Sequence, residues 1–217
     1  IDIKPYKYCI NCGDFSISDG DNAVALVVPH GNNKYKIEII GSEKVGDYEA
    51  SYGMLDDSSI EISKNDIISI SIGDGIDTIG ETSFYNFSGV KEIQYNGAIP
   101  SQIDEKAFKG ISNVNIYVRE DEEFPTNAKI YKSAENVKWF KYCYYNYCGL
   151  KDKDNGIDLI YRITIDDNND NILNIFGNGE MRNYNDGNIV SNEYEIKAVT
   201  VSNGISNLGT NFMNGMS

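Results

Sequence analysis

Histidine and tryptophan occur once each in the 217 residues, and proline, methionine and cysteine four times each. The lone histidine, His30, has no serine or cysteine nucleophile phrase beside it, which argues against a catalytic triad. It sits before Gly31-Asn32-Asn33 and is expected as an exposed turn residue. Basic residues are short as well: Lys plus Arg is 19 against 33 acids, a net charge of -14. That balance argues against nucleic-acid phosphate or an anionic membrane as partner, since both want a basic face. It leaves divalent cations or basic proteins, although the acid is spread along the chain as solvation normally spreads it. No run of about 18 apolar residues exists, so no membrane span is read from the sequence. No signal peptide is visible, and a chain opening at Ile1 without methionine is the expectation for a processed or excerpted product. What is abundant is tyrosine, sixteen in all, which points to a β-rich protein with many half-exposed aromatics. The length suffices for one or two domains with cores of their own.

A repeat organises the middle of the chain. Ile70 and Ile72 return as Ile93 and Tyr95, Ile76 and Ile79 as Ile99 and Ile103, and Phe84 as Phe108. Ser88 and Val90 return as Ser112 and Val114. Val199-Thr-Val-Ser-Asn-Gly-Ile-Ser-Asn-Leu-Gly209 repeats the register of Ile70 to Gly80. A short, regular period on an apolar skeleton predicts a solenoid, in which each copy buries its apolar face only by stacking on its neighbours.

The pattern apolar-x-apolar-x-x-Gly-apolar-x-x-Ile-Gly-x-x-x-Phe, at 68–118 and again at 196–217, resembles the leucine-rich repeat of BspA-like proteins. These are secreted or surface proteins of anaerobic bacteria and parasitic protists. Ala107-Phe108 matches the family's usual pair, Ser83-Phe84 replaces its alanine, and Met213 stands where Phe84 stood. The resemblance implies a β-hairpin ahead of the repeats with a trailing Gly-x-Gly-x-Met phrase. That phrase is Gly177-Asn178-Gly179-Glu180-Met181 in one place and the altered Gly41-Ser-Glu-Lys-Val45 in another. It also implies a closing segment after the repeats, here Ile116-Tyr117-Val118 followed by Tyr131 and Trp139, with a last strand and a short helix.

A larger duplication encloses the repeats. Tyr6-Lys7-Tyr8-Cys9 with Cys12-Gly13 matches Phe140-Lys141-Tyr142-Cys143 with Cys148-Gly149. Cys12, Gly41 and Tyr48 map at one constant offset onto Cys148, Gly177 and Tyr184. Gly75 and Gly80 map at a slightly shorter offset onto Gly204 and Gly209, after a small deletion. The fold class is therefore mainly β: a β-hairpin cap followed by a short leucine-rich-repeat solenoid, repeated in tandem, with little helix. The expected divisions are a cap at 1–66, repeats and closing segment at 67–139, a second cap at 140–195 and the incomplete start of a second repeat region at 196–217. The cap hairpins are read at Phe15–Val28 with Tyr35–Ile40, and at Leu159–Ile165 with Ile172–Phe176. The segment 42–66 reads as polar and irregular, and 128–140 is the best helix candidate.

Four constellations invite chemistry. For the cysteines the favoured reading is a local disulfide opening each module, Cys9–Cys12 and Cys143–Cys148, as an oxidising compartment allows. A redox dithiol, a zinc site, thiols or bonds between modules remain open. Gly75 to Thr82 has the glycine spacing of a phosphate loop, but Glu81 stands where lysine should be, so the spacing reads as a turn of the repeat. Gly177-x-Gly179 lacks the third glycine of a dinucleotide fingerprint, Arg182 standing there. Asp166-Asp-Asn-Asn-Asp-Asn171 has oxygens at calcium-loop positions 1, 3 and 5 without the glycine or the closing glutamate. It reads as a solvated hairpin turn, with weak calcium left open. No other metal and no cofactor is expected. Asn86-Phe87-Ser88 is an acceptor for N-linked glycan, in the turn after Phe84 and away from the strand face.

What remains is surface. The outward residues of the repeat strands, Ser69, Ser71, Glu92, Gln94, Asn115 and Tyr117, would form one polar face with an aromatic, suited to protein or glycan contact. With the resemblance, this points to a non-catalytic extracellular or cell-surface protein mediating adhesion or binding to a host or matrix protein or glycan. The alternative is a structural unit of an extracellular filament or sheath, copies joined head-to-tail because a solenoid cut inside a repeat exposes a strand edge. A hydrolase would need an acid pair that nothing singles out among 33 acids.

Overall fold

The computed structural model describes residues 6–16, 19–30, 33–49, 53–123, 134–147, 159–177, 179–184, 189–190 and 194–213. The chain forms two compact units, one of Tyr6–Val28 with Lys34–Trp139, the other built on Phe140–Ser217. Among the described residues no α-helix occurs; a short 3-10 turn at Lys64–Asp66 follows Ser63, whose hydroxyl accepts from Asn65 N.

The first unit begins as an antiparallel meander. β1 (Tyr8–Asn11) pairs with β2 (Ala23–Pro29), and β3 (Tyr35–Gly41) lies next in the sheet. From there the chain coils. β4 (Glu43–Val45) starts a second sheet, and β5 (Ile67–Ile72) returns parallel to β3. β6 (Ile76–Ile79) then pairs with β4, β7 (Glu92–Tyr95) with β5, β8 (Gln102–Ile103) with β6 and β9 (Asn115–Arg119) with β7. All of these rung contacts are parallel, and the register of Ile70 on Ile93, Ile72 on Tyr95 and Ile79 on Ile103 is the one the repeat predicts. β-branched residues alternate with serine in Ile67–Ile72, so one set of side chains turns inward and the other outward.

Between the two sheets lies the core. Ile37, Ile39, Ile70, Ile72, Ile93, Tyr95, Ile116 and Val118 enter from one side and Val45, Ile76 and Ile79 from the other, none more than 3% exposed. Each such side chain contributes roughly 1.5–3 kcal/mol by leaving water. Phe84 and Phe108 stack with centroids 5.3 Å apart at 3°, and Phe87 meets Phe84 edge-on at 5.8 Å. Corners after the aromatics use left-handed asparagines, Asn86, Asn113 and Asn136, a conformation asparagine tolerates better than most residues. Asn136 Nδ2 donates to Asn113 Oδ1 at 3.2 Å, linking successive corners.

The second unit repeats the first at the predicted offsets. β10 (Lys138–Tyr147), β11 (Leu159–Ile165) and β12 (Asn171–Gly177) form the antiparallel meander. β13 (Gly179–Glu180), β14 (Ile196–Val201) and β15 (Ile205–Asn207) form the first parallel rung. Tyr35 opposes Ile67 and then, past a bulge, Lys36 opposes Ser69; Asn171 opposes Ile196 and, past the same bulge, Ile172 opposes Ala198. Gly41 and Gly177 end the equivalent strands at φ 131° and 120°. Asp47 Oδ1 accepts from Glu81 N at 2.8 Å, and its counterpart Asn183 Oδ1 accepts from Thr210 N at 2.8 Å.

Three local expectations are corrected. The first hairpin strand starts at Ala23, not Phe15, because Asp14 and Asn22 side chains take the backbone donors of residues 14 and 16 into a turn. The segment 42–66 is a working rung: it contains β4, and Met54, Leu55 and Ile62 are buried in the core. The helix expected over 128–140 falls partly on 128–133, outside the described residues. Beyond that, Asn136 is left-handed, Lys138 N donates to Val114 O at 3.0 Å rather than back into a helix, and β10 begins.

Candidate functional site

The six residues expected on the repeat face lie together, in two rows across β5, β7 and β9. Ser69, Glu92 and Asn115 form one row and Ser71, Gln94 and Tyr117 the other, each residue opposite the next. Equal register follows from equal spacing, since Ser69 to Glu92 and Glu92 to Asn115 are the same step along the chain. The rows are hydrogen-bonded along and across the strands. Ser69 Oγ donates to Glu92 Oε1 at 3.0 Å, Asn96 Nδ2 to Ser71 Oγ at 2.9 Å and Gln94 Nε2 to Asn96 Oδ1 at 2.6 Å. Five of the six are half-buried; Gln94 is buried, at 4% exposure.

Both rows extend one strand further than the sequence pattern reached. Lys36 and Glu38 of β3 oppose Ser69 and Ser71, and Lys36 Nζ lies 3.3 Å from Glu38 Oε1. Their signal was the alternation Lys36-Ile37-Glu38-Ile39, which belongs to the repeat face although the strand is also the second arm of a hairpin. The rows thus run from a buried Lys36–Glu38 ion pair at one side, over a carboxylate in the middle, to a phenol ring at the far strand.

On the opposite sheet a polar groove of about 450 Å³ runs along β4, β6 and β8, lined among others by Lys44, Asp47, Thr78, Gln102 and Asp104. Lys44 Nζ donates to Asp47 Oδ2 at 2.7 Å. Partial burial pushes the Asp47 carboxyl up, but the hydrogen bonds from Lys44 and from Glu81 N outweigh it and hold the pKa below its ordinary 3.8. The carboxylate therefore contributes stability that is fully present above 3.8 and fades as pH falls below that value. Asp47→Ala is expected to cost about 1 kcal/mol at neutral pH. The gap to wild type should close in urea titrations carried down through the acid range, whereas the effect of Asn183→Ala should not follow pH there.

The remaining sequence candidates are scattered. Cys9 and Cys12 are free thiols, which corrects the pairing Cys9–Cys12; the pairing Cys143–Cys148 falls on Cys148, which lies outside the described residues. Cys9 lies on β1 and Cys12 continues its ladder through a bond from Cys12 N to Ala23 O. Three extended steps separate their Cα atoms by about 10 Å, beyond the ~7 Å a disulfide spans. They also face opposite ways, Cys9 exposed and Cys12 at 0% exposure. Burial, with a smaller push from Cys9, raises the Cys12 thiol to about 12. A thiol reagent should modify Cys9 in the native protein and Cys12 only after unfolding, as peptide mass mapping would show. Cys143 Sγ donates to Ile163 O at 3.7 Å.

His30 is buried, at 5% exposure, not the exposed turn residue expected. Two positions past buried Val28, it keeps that side chain's facing by strand alternation. The phosphate-loop spacing falls on a strand, since Ile76–Ile79 between the two glycines is β6, and Glu81 pairs with Lys106 at 2.5 Å. Asp166–Asn171 joins β11 to β12. Asp166 Oδ1 accepts from Asn168 N and Asp170 N at 2.9 Å each, so backbone donors already engage the first oxygen of the calcium-like loop. Asn86 is exposed at its corner, its N–H donating to Lys109 O at 2.8 Å, while Ser88 Oγ bonds Asn65 Oδ1.

Parallel ladders and an apolar inward row define a β-solenoid of leucine-rich-repeat-like build. A leucine-rich repeat protein from Eubacterium ventriosum is similar to the chain at 12% identity and a TM-score of 0.34, over 97% of this chain and 64% of that one. The chain thus spans about 64% of that protein's length. No protein-family model matches the chain, and no curated protein does.

Proposed function

We propose that the chain is a non-catalytic binding protein, placed at or outside the cell surface, that holds a partner protein or glycan against the rows on β3, β5, β7 and β9. The observation that carries this reading is the register itself: polar side chains of four strands stand in two continuous rows over a rigid apolar core. Their mutual hydrogen bonds fix them before any ligand arrives, so little side-chain entropy remains to be lost on binding. Resemblance to BspA-like surface proteins supports the same reading and supplies the extracellular setting, in which an exposed Asn86 can accept glycan.

Arrays of glycans and matrix proteins test it. A bound member should lose about tenfold or more in affinity with Tyr117→Ala, as interface aromatics commonly do, and also weaken with Glu92→Ala. Binding indifferent to both substitutions, or turnover of an array component, would sink the proposal. Head-to-tail assembly into a filament is the competing reading. Light scattering with electron microscopy separates the two, since a stable monomer of 24.2 kDa excludes the filament.

A further inference from the structure

The rows on β5, β7 and β9 repeat at the step of the sheet itself. Neighbouring strands lie about 4.8 Å apart, so Ser69, Glu92 and Asn115 recur at that interval, and so do Ser71, Gln94 and Tyr117. The sugar units of an extended glycan follow one another at a closely similar interval. A glycan laid across the strands therefore meets a fresh pair of side chains with each unit. A polypeptide in the same direction, rising about 3.3 Å per residue, drifts out of step.

The groups on offer suit hydroxyls, which donate and accept at once. Ser71 Oγ accepts from Asn96 Nδ2 at 2.9 Å and keeps its own proton to donate. Asn96 Oδ1 accepts from Gln94 Nε2 at 2.6 Å and has a second lone pair. Ser69 Oγ donates its proton to Glu92 Oε1 at 3.0 Å and so presents lone pairs. Charge narrows the class further. Glu92 stands in the middle of the rows, the chain carries -14 overall, and Lys36 is 3% exposed and paired with Glu38 at 3.3 Å. A sulfated or uronic glycan would be repelled. Protein interfaces draw on buried aromatic and arginine anchors. The rows hold one aromatic, on β9, and neither arginine nor an aliphatic side chain.

We propose that the rows take an extended, uncharged glycan lying across β5, β7 and β9, one sugar unit to each strand. The Tyr117 ring meets the apolar face of the unit on β9, as an aromatic with a polar tip can. The proposal rests on the reading of the rows as the binding face and names their occupant. The β3 end is closed by its own buried ion pair and adds nothing, so the site ends after three units.

The probes are linear oligosaccharides of one to six units, titrated into the full chain by calorimetry. Neutral series are built of glucose, mannose or N-acetylglucosamine, and acidic series of equal length are glucuronate or sulfated. At least one neutral series should bind and tighten about tenfold from one unit to three, as one or two added hydrogen bonds would give, then level off. The acidic series should bind about tenfold more weakly at low salt. Tyr117→Ala should weaken the neutral trimer about tenfold. Glu92→Gln should narrow the gap between neutral and acidic series, and it serves as an independent variant if the first folds poorly. Affinity that ignores length, acidic glycans bound as well as neutral ones, or no oligosaccharide bound would each overturn the proposal. A matrix protein held through Tyr117 with no glycan bound would sink the occupant and spare the binding face, whereas binding of neither would sink both.

Discussion

Phe84→Ala is expected to lower stability by about 3–5 kcal/mol, a large share of the roughly 5–15 kcal/mol that ordinarily holds a domain together. The ring is at 0% exposure, parallel to Phe108 at 5.3 Å and edge-on to Phe87 at 5.8 Å. Truncation removes the transfer gain of the ring and its aromatic contacts, and leaves a cavity between two rungs fixed by their ladders. Phe84→Leu keeps most of the volume and should cost markedly less. Urea unfolding measures both, with an unchanged slope identifying a true stability effect. Met213 provides the control. It occupies the equivalent place in the second unit at 48% exposure, so Met213→Ala should change stability by no more than about 0.5 kcal/mol. Equal losses at the two positions would contradict the difference in burial between them.

Gly41→Ala should be similarly severe, at about 2–6 kcal/mol, from strain and overpacking together. Its φ of 131° is a backbone conformation L side chains rarely adopt. An added Cβ would stand 2.2 Å from Asn22 O and 2.7 Å from Ala23 Cα, both main-chain atoms where β2 begins. Neither can retreat without breaking the β1–β2–β3 meander. Gly179 separates the two costs. Its φ is 110° but nothing lies within 4 Å of the added atom, so Gly179→Ala should cost the strain alone, about 1–3 kcal/mol. Thermal melts of the two variants read the difference directly. A Gly41→Ala protein as stable as Gly179→Ala would mean that the close approach to Asn22 is not tight.

The rungs from β5 to β9 were legible because their apolar skeleton recurs at nearly one step. Ile70 on Ile93, Ile79 on Ile103 and Phe84 on Phe108 could be written down from spacing, and so could both rows of the polar face. The rung at 42–66 escaped because Tyr35 and Ile67, which it joins, lie further apart along the chain than Ser69 and Glu92 do. A pattern sought at the shorter period passes over it. Its anchors, the pair Met54-Leu55 and Ile62, are set among polar residues and show no period. β1 and β10 were hidden by their cysteines: the Tyr-Cys of the aromatic-Lys-Tyr-Cys phrase lies on a strand in both units, and the alternation turns the two cysteines of the first copy to opposite faces. The Val137 to Phe140 stretch suits a helix by composition, yet past a left-handed Asn136 the Lys138 N–H goes to Val114 O and not back into a helix. Lys36 and Glu38 were missed for a simpler reason, since one strand serves hairpin and rung at once.

The even step between rungs has a mechanical meaning. Each parallel contact from β5 to β9 closes one short loop, Ser69 to Glu92 and then Glu92 to Asn115, so no rung waits for distant chain before it can form. Folding spreads from whichever rung nucleates first, and pulling reverses that order. Under tension along the chain an outer rung peels while the next still holds, each release yielding about 80 Å of slack. A tether built this way lengthens in instalments under load and winds back when the load falls.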